Sequence, residues 1–230
     1  MRRSDVTPTG LGARAGHLLL IGLLVSIFGG LALAVLSLPS ESPGLSAQVE
    51  AAMADTGVTH PVTAVLLDFR GYDTLLEMVV LLLALASVWS LAEGSPFADR
   101  RPGTMLDRLS RLYAPLMLLV AGYLLWAGSA SSGGAFQAGA VLGAAGVVLT
   151  LTGWRLPLAL AGWPLRLILV SGVSIFVLVG LVSLFFGAVW LDYPLEWAGA
   201  LILLIEAIAS LAIGATLAAL FLGGRPEEHP

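Results

Sequence analysis

Long apolar runs separated by short polar connections dominate this chain. Six of them reach the roughly 20 mostly apolar residues that a membrane-spanning helix needs. They cover about His17 to Leu38, Tyr72 to Ala92, Leu112 to Gly128, Gly134 to Gly153, Leu165 to Val189 and Trp197 to Leu222. The second run has a candidate helical lead-in from Val62. The longest connection, Pro39 to Pro61, carries Pro39, Pro43 and Gly44 as breakers and a candidate short surface helix over Ala47 to Ala54. The pattern predicts an all-α, polytopic membrane protein of about six spans.

Charge placement orients those spans. Arg2, Arg3 and Arg14 precede the first; Arg100, Arg101, Arg108 and Arg111 lie between the second and third; Arg155 and Arg166 lie between the fourth and fifth; Arg225 follows the sixth. Apart from Arg70, the alternate connections hold no arginine, only Glu41, Glu50, Asp55, Asp192 and Glu196. Basic loops stay cytoplasmic, so both termini are expected there. The first apolar run exceeds the about 7–15 residues of a secretory signal, and Ser37-Leu38-Pro39 is a poor cleavage site, so a retained span is expected.

Composition agrees. The 230 residues are 58% hydrophobic and 11% charged, with mean hydropathy +0.95, which leaves too little polar surface for a water-soluble body. A net charge of −4, spread along the chain, offers no nucleic-acid surface. With no cysteine there is no disulfide or thiolate metal site, and His17, His60 and His229 are far apart in sequence. All 11 basic residues are arginine, which suggests a GC-rich bacterial genome and hence a bacterial inner membrane. No nucleophile triad, nucleotide loop or metal cluster is present, so neither a chemical active site nor a cofactor is expected.

The chemistry is concentrated at the head of the second span, in Asp68-Phe69-Arg70-Gly71-Tyr72-Asp73-Thr74-Leu75-Leu76-Glu77. Asp73 and Glu77 are four residues apart and share a helix face. Asp73 suits the first turn, where a carboxylate complements the positive helix end. Glu77 is deeper, roughly 9 Å along the axis at 1.5 Å per residue, beyond what capping explains. Two ionised carboxylates at this spacing repel, so one of them takes a cationic partner or a proton, and Arg70 is the nearest cation. A purely structural Asp68–Arg70–Asp73 network is the plainer alternative. Glu206 stands alone among aliphatic residues about nine positions into the last span, near 14 Å deep. An acid there costs about 2.5–3.5 kcal/mol on insertion scales, and such residues mark ion pathways or bind a neighbouring helix.

Small residues form a further signal. Gly139, Gly143 and Gly146 give the fourth span a face suited to close packing, and Gly139-x-x-x-Gly143 has the spacing for it. Trp126, Trp154, Trp163, Trp190 and Trp197 fall near span ends, as interface anchors do. The acid-free fifth span shows no repeat of the second.

The run Pro61 to Glu77 resembles the MbhE-like domain found at the end of the large subunit of Mrp-type Na+/H+ antiporters and in membrane-bound hydrogenases. Gly133-Gly134-Ala135-Phe136-Gln137-Ala138-Gly139 and Leu204-Ile205-Glu206 resemble the MnhB/MrpB domain of the same complexes. The resemblance implies a division into residues 1–110, MbhE-like, and 111–230, MnhB/MrpB-like. It implies a membrane subunit of a multisubunit cation/proton antiporter. Its partners would be the other membrane subunits, the lipid bilayer, and transported H+ and Na+. Glu77, Glu206 and Asp73 are the expected ion-translocating acids. Asp68, Arg70, Gly71, Thr74, Gly133, Gly134 and Phe136 are the matching motif positions. Two departures stand out. Leu76 occupies the position before Glu77 that is usually Gly, and the outer turn is a reduced version of a fuller Pro-Gly-Gly-Gly-Phe. An ion-pumping-arm subunit of a redox complex and a structural membrane adaptor stay open as alternatives.

Overall fold

Hydrocarbon cannot satisfy a backbone amide or carbonyl, so apolar runs of this length close their hydrogen bonds within helices. The computed structural model describes residues 10–38, 44–91, 103–154, 162–186 and 189–223, and every regular element among them is helical. Arg2, Arg3, Pro39, Glu41, Pro43, Ala92, Arg100, Arg101, Arg155, Arg225 and His229 lie outside the described residues. The chain divides into two units, Met1–Leu45 and Ser46–Pro230.

The first unit holds one helix, α1 (Gly10–Leu36), whose 27 residues are long enough to span a bilayer. Its side chains from Arg14 onward are almost all exposed.

In the second unit the outer connection forms α2 (Ser46–Ala52) and a 3₁₀ turn at Met53–Asp55, where the sequence suggested a short surface helix. The expected lead-in is present as α3 (Pro61–Ala64), with Pro61 at the first helical position. There its fixed φ suits the helix and its missing N–H is no loss. A π-turn at Val65–Phe69 follows, then α4 (Gly71–Leu91). The remaining helices are α5 (Thr104–Ala127), α6 (Ala135–Leu151), α7 (Trp163–Phe186) and α8 (Leu195–Leu222). Among the described residues five helices have the length and apolarity to cross a membrane, and α6, at 17 residues, is a shorter sixth. At 1.5 Å per residue α6 reaches roughly 25 Å, close to the minimum for a span.

α8 is the hub. It packs most extensively on α6 and α7 and also touches α4 and α5, while α5 packs chiefly on α6. The α6–α8 contact is close because both faces are small. A Cβ at Gly139 would lie 2.7 Å from Ile213 Cγ2 and 3.1 Å from the Ser210 carbonyl, and one at Gly143 would meet Leu217 and Gly214. The small-residue face read from the sequence is therefore used inside the chain, against α8. Phe176, Ile202 and Ile205 form the centre of the core, with Met78 of α4 packed into the same cluster. Trp126, Trp154, Trp163 and Trp197 are exposed near helix ends, as interface anchors should be. Trp190 differs: it stacks on Tyr72 at 5.9 Å between centroids and lies over Gly180.

Candidate functional site

The long helical rod from Pro61 to Leu91 is broken once, at Arg70 (φ −132°, ψ 34°). The Arg70 N–H reaches back five residues to the Val65 carbonyl at 2.9 Å, closing the π-turn. Such a break strands carbonyls that bilayer hydrocarbon would leave unpaired. Two hydroxyls recover them. Thr74 Oγ1 donates to the Leu66 carbonyl at 2.6 Å, and the Tyr193 phenol donates to the Leu67 carbonyl at 3.0 Å. Burial, and next the Asp68 charge, hold the Tyr193 phenol well above its ordinary range, so it stays a donor. Gly71 lets Leu191 pack closely on the start of α4, since a Cβ there would lie 2.7 Å from Leu191 Cδ1.

The break separates the acids of the motif. Asp68 turns inward and is half-buried; burial first, and the nearby Asp192 charge second, push its carboxyl up to about 6. Arg70 pairs with Asp73 across one turn, and both side chains remain substantially exposed. The three-membered Asp68–Arg70–Asp73 network is thus reduced to the Arg70–Asp73 pair. Glu77 lies one turn further along α4, exposed, with no hydrogen bond or ion pair among the described residues. Arg70, Asp73 and Glu77 line one end of an open groove of about 780 Å³, whose other wall comes from Phe136 and Ala140 of α6 and Ile213 and Leu217 of α8.

Glu206 is built differently. It is 3% exposed and sits against the turn that starts α6. The backbone N–H of Ala135, the first residue of that helix, faces the Glu206 carboxyl group. An acid from α8 therefore serves as the cap that α6 lacks from its own sequence, where the positive end of the helix favours it. The approach depends on Gly134. Its φ of +106° suits only glycine, and a Cβ there would lie 2.7 Å from Glu206 Oε1. The turn itself is held by the Gly134 N–H donating to the Leu124 carbonyl at 2.9 Å. It is tied to the lead-in by the Thr63 hydroxyl on the Gly128 carbonyl and by the Thr59 and His60 amides on the Ser129 carbonyl, each at 3.1 Å. Glu206 Oε2 is buried and has no hydrogen-bond partner among the described residues.

The structure thus brings Glu206 against Gly134, distant in sequence, sets Gly133 against Leu124 and Gly128, and gathers Arg70, Asp73, Glu77 and Phe136 on one groove. The two groups meet at Ala135-Phe136: Ala135 faces Glu206, and Phe136 faces the groove of Glu77. Tyr193, Thr63 and Asp192 complete the arrangement without any sequence signal beyond their polarity.

A family model described as the domain related to the MnhB subunit of Na+/H+ antiporter matches residues 105–223, just over half of the chain. The chain belongs to this family. The MnhB-related part thus runs through α5 to α8 and includes both Glu206 and the turn that binds it. The fold is also that of two solved membrane assemblies. One is a chain of the membrane-bound sulfane sulfur reductase, an archaeal respiratory membrane complex. It is similar at a TM-score of 0.68 and 22% identity over 91% of this chain and 97% of that one. The other is a chain of the Mrp complex from Dietzia sp. DQ12-45-1b, similar at a TM-score of 0.63 and 21% identity over 99% of this chain. The MnhB-related chain spans only 27% of that Mrp chain. No curated protein matches the sequence significantly.

Proposed function

We propose that this MnhB-related protein is a membrane subunit of a multisubunit cation/proton antiporter, and that Glu206, Glu77 and Asp73 take part in moving its ions. The observation that carries the reading is the divided environment of Glu206. One part of its carboxyl group lies against the Ala135 amide, while Oε2 is buried and unpartnered among the described residues. A carboxyl group anchored in this way can take and release a proton or Na+ at the other oxygen without losing its place. The start of α6 gives the anion a partner when the ion departs. Asp73 and Glu77, at the head of α4, provide acids on the adjoining groove. Arginine placement supports cytoplasmic termini in a bacterial inner membrane, with the Gly134 turn and the head of α4 on the outer side. The division into residues 1–110 and 111–230 follows the two resemblances, MbhE-like and MnhB/MrpB-like.

The test is Na+-dependent proton exchange in everted vesicles bearing the whole complex. Glu206→Gln keeps the side-chain shape and an acceptor for Ala135 but cannot ionise. Exchange should fall at least about tenfold, the scale of one lost 1.4 kcal/mol interaction, while the complex is recovered at normal yield. Normal exchange in Glu206→Gln would leave Glu206 as a structural cap and favour the adaptor reading.

A second reading has its own support. The sulfane sulfur reductase chain matches along nearly its full length, so the same subunit would also fit the membrane arm of a redox complex. Redox subunits co-purifying with this chain would decide for it.

A further inference from the structure

Glu77 presents a problem that its own chain does not solve. It is an ionisable group on an exposed face of a spanning helix, and the nearest cation, Arg70, is already paired with Asp73. Acids at such positions face protein or a water-filled path, because lipid hydrocarbon does not solvate them. The groove in front of Glu77 is apolar beyond that end: Val80, 62% exposed, continues the Glu77 face of α4, and Ala140, Ile213 and Leu217 form the far wall. Its volume of about 780 Å³ far exceeds the ~30 Å³ share of a water molecule. An acid near one end and hydrocarbon beyond it call for an occupant with the complementary pattern.

We propose that this groove seats one transmembrane helix of a neighbouring subunit, and that the helix brings a lysine or arginine to Glu77. A second copy of this chain does not fit. It has no lysine, its Arg70 is already paired with Asp73, and among its described spanning helices Arg108, Arg111 and Arg166 stand at the starts of α5 and α7. Since successive spans alternate direction, those starts lie across the membrane from the head of α4. Arg14 likewise stands near the start of its own helix, α1. The inference rests on the chain working within a multisubunit complex, as proposed above, but not on any acid conducting ions.

The experiment places a photo-crosslinking amino acid at Val80, and separately at Ala140, in the assembled complex in its native membrane, and identifies the crosslinked peptides by mass spectrometry. Both positions should label one spanning segment of a different subunit, and that segment should contain a lysine or arginine. Crosslinks only to lipid, crosslinks to another copy of this chain, a segment without a basic residue, or no protein crosslink would each overturn the proposal. In a second arm, Glu77→Lys should reduce recovery of that subunit more than about tenfold, as opposing an unpaired charge does. Replacing its basic residue by Glu should restore recovery, and failure of the exchange to restore it overturns the pairing. Neither arm measures transport, so a negative result here is distinct from normal exchange in Glu206→Gln.

Discussion

Glu206 and Glu77 are both acids on spanning helices of the same bundle, and their surroundings are opposite. Glu206 has its environment supplied by its own chain: a glycine turn, a helix start and a hub helix bring an amide to a buried carboxyl group. Glu77 has half an environment, an open groove with no partner among the described residues. The contrast separates two kinds of membrane acid. One is part of the fold, so disturbing it should disturb the subunit. The other is part of a surface, so disturbing it should leave the subunit intact and alter only what the subunit meets.

The sharpest way to break this contrast is Gly134→Ala. The new Cβ would occupy a backbone region closed to L-residues and press on Glu206 Oε1. A destabilisation of at least about 1–3 kcal/mol is expected for the detergent-solubilised chain, read as its thermal unfolding. An unchanged midpoint would mean that the turn is not held as described. Tyr193→Phe removes the phenol from the Leu67 carbonyl and should cost about 0.5–1.5 kcal/mol. Amide exchange over residues 65–70 should accelerate, whereas unchanged exchange would show that another group recovers the carbonyl.

A smaller effect is expected from pH. Asp68 has its folded-state value raised from 3.8 to about 6 by burial and by Asp192. The folded chain then holds more protons than the unfolded one between about pH 4 and 6, so stability falls as pH rises through that window. Its partial exposure lets solvent screen the effect. Asp68→Asn should flatten this part of the curve of unfolding midpoint against pH; a curve of unaltered slope would assign the titration to another group. Smallest of all, Glu77→Gln should leave the unfolding of the isolated chain within about 0.5 kcal/mol, as surface changes do. A larger loss would place Glu77 inside the fold after all.

The spans were legible because hydrocarbon imposes a length on every run that crosses it, and all six apolar runs are helices in the structure. The lead-in before α4 could also be read, since Pro61 marks a helix start. The contact between Gly134 and Glu206 could not. It joins residues on α6 and α8 whose separate patterns, a glycine turn and a lone acid, carry no information about each other. Likewise Tyr193 reaches Leu67 across 126 positions of sequence, and the Leu67 carbonyl needs that donor because the rod breaks at Arg70. Of the plainer alternative, a structural Asp68–Arg70–Asp73 network, only the Arg70–Asp73 pair is formed, and the charge acting on Asp68 is that of Asp192.

The π-turn at Val65–Phe69 also sets the angular phase of everything after it. A wide turn accommodates one residue more than an ordinary helical turn, and each residue of an α-helix advances the azimuth by about 100°. Deleting a single residue there would preserve the rod's direction and nearly its length, yet swing α4 by almost a third of a revolution. Glu77 would leave the groove, and Met78 would leave the core it anchors. The wide turn is thus a key cut to one angle, and the pairing face of the subunit is specified eight residues before the acid it presents.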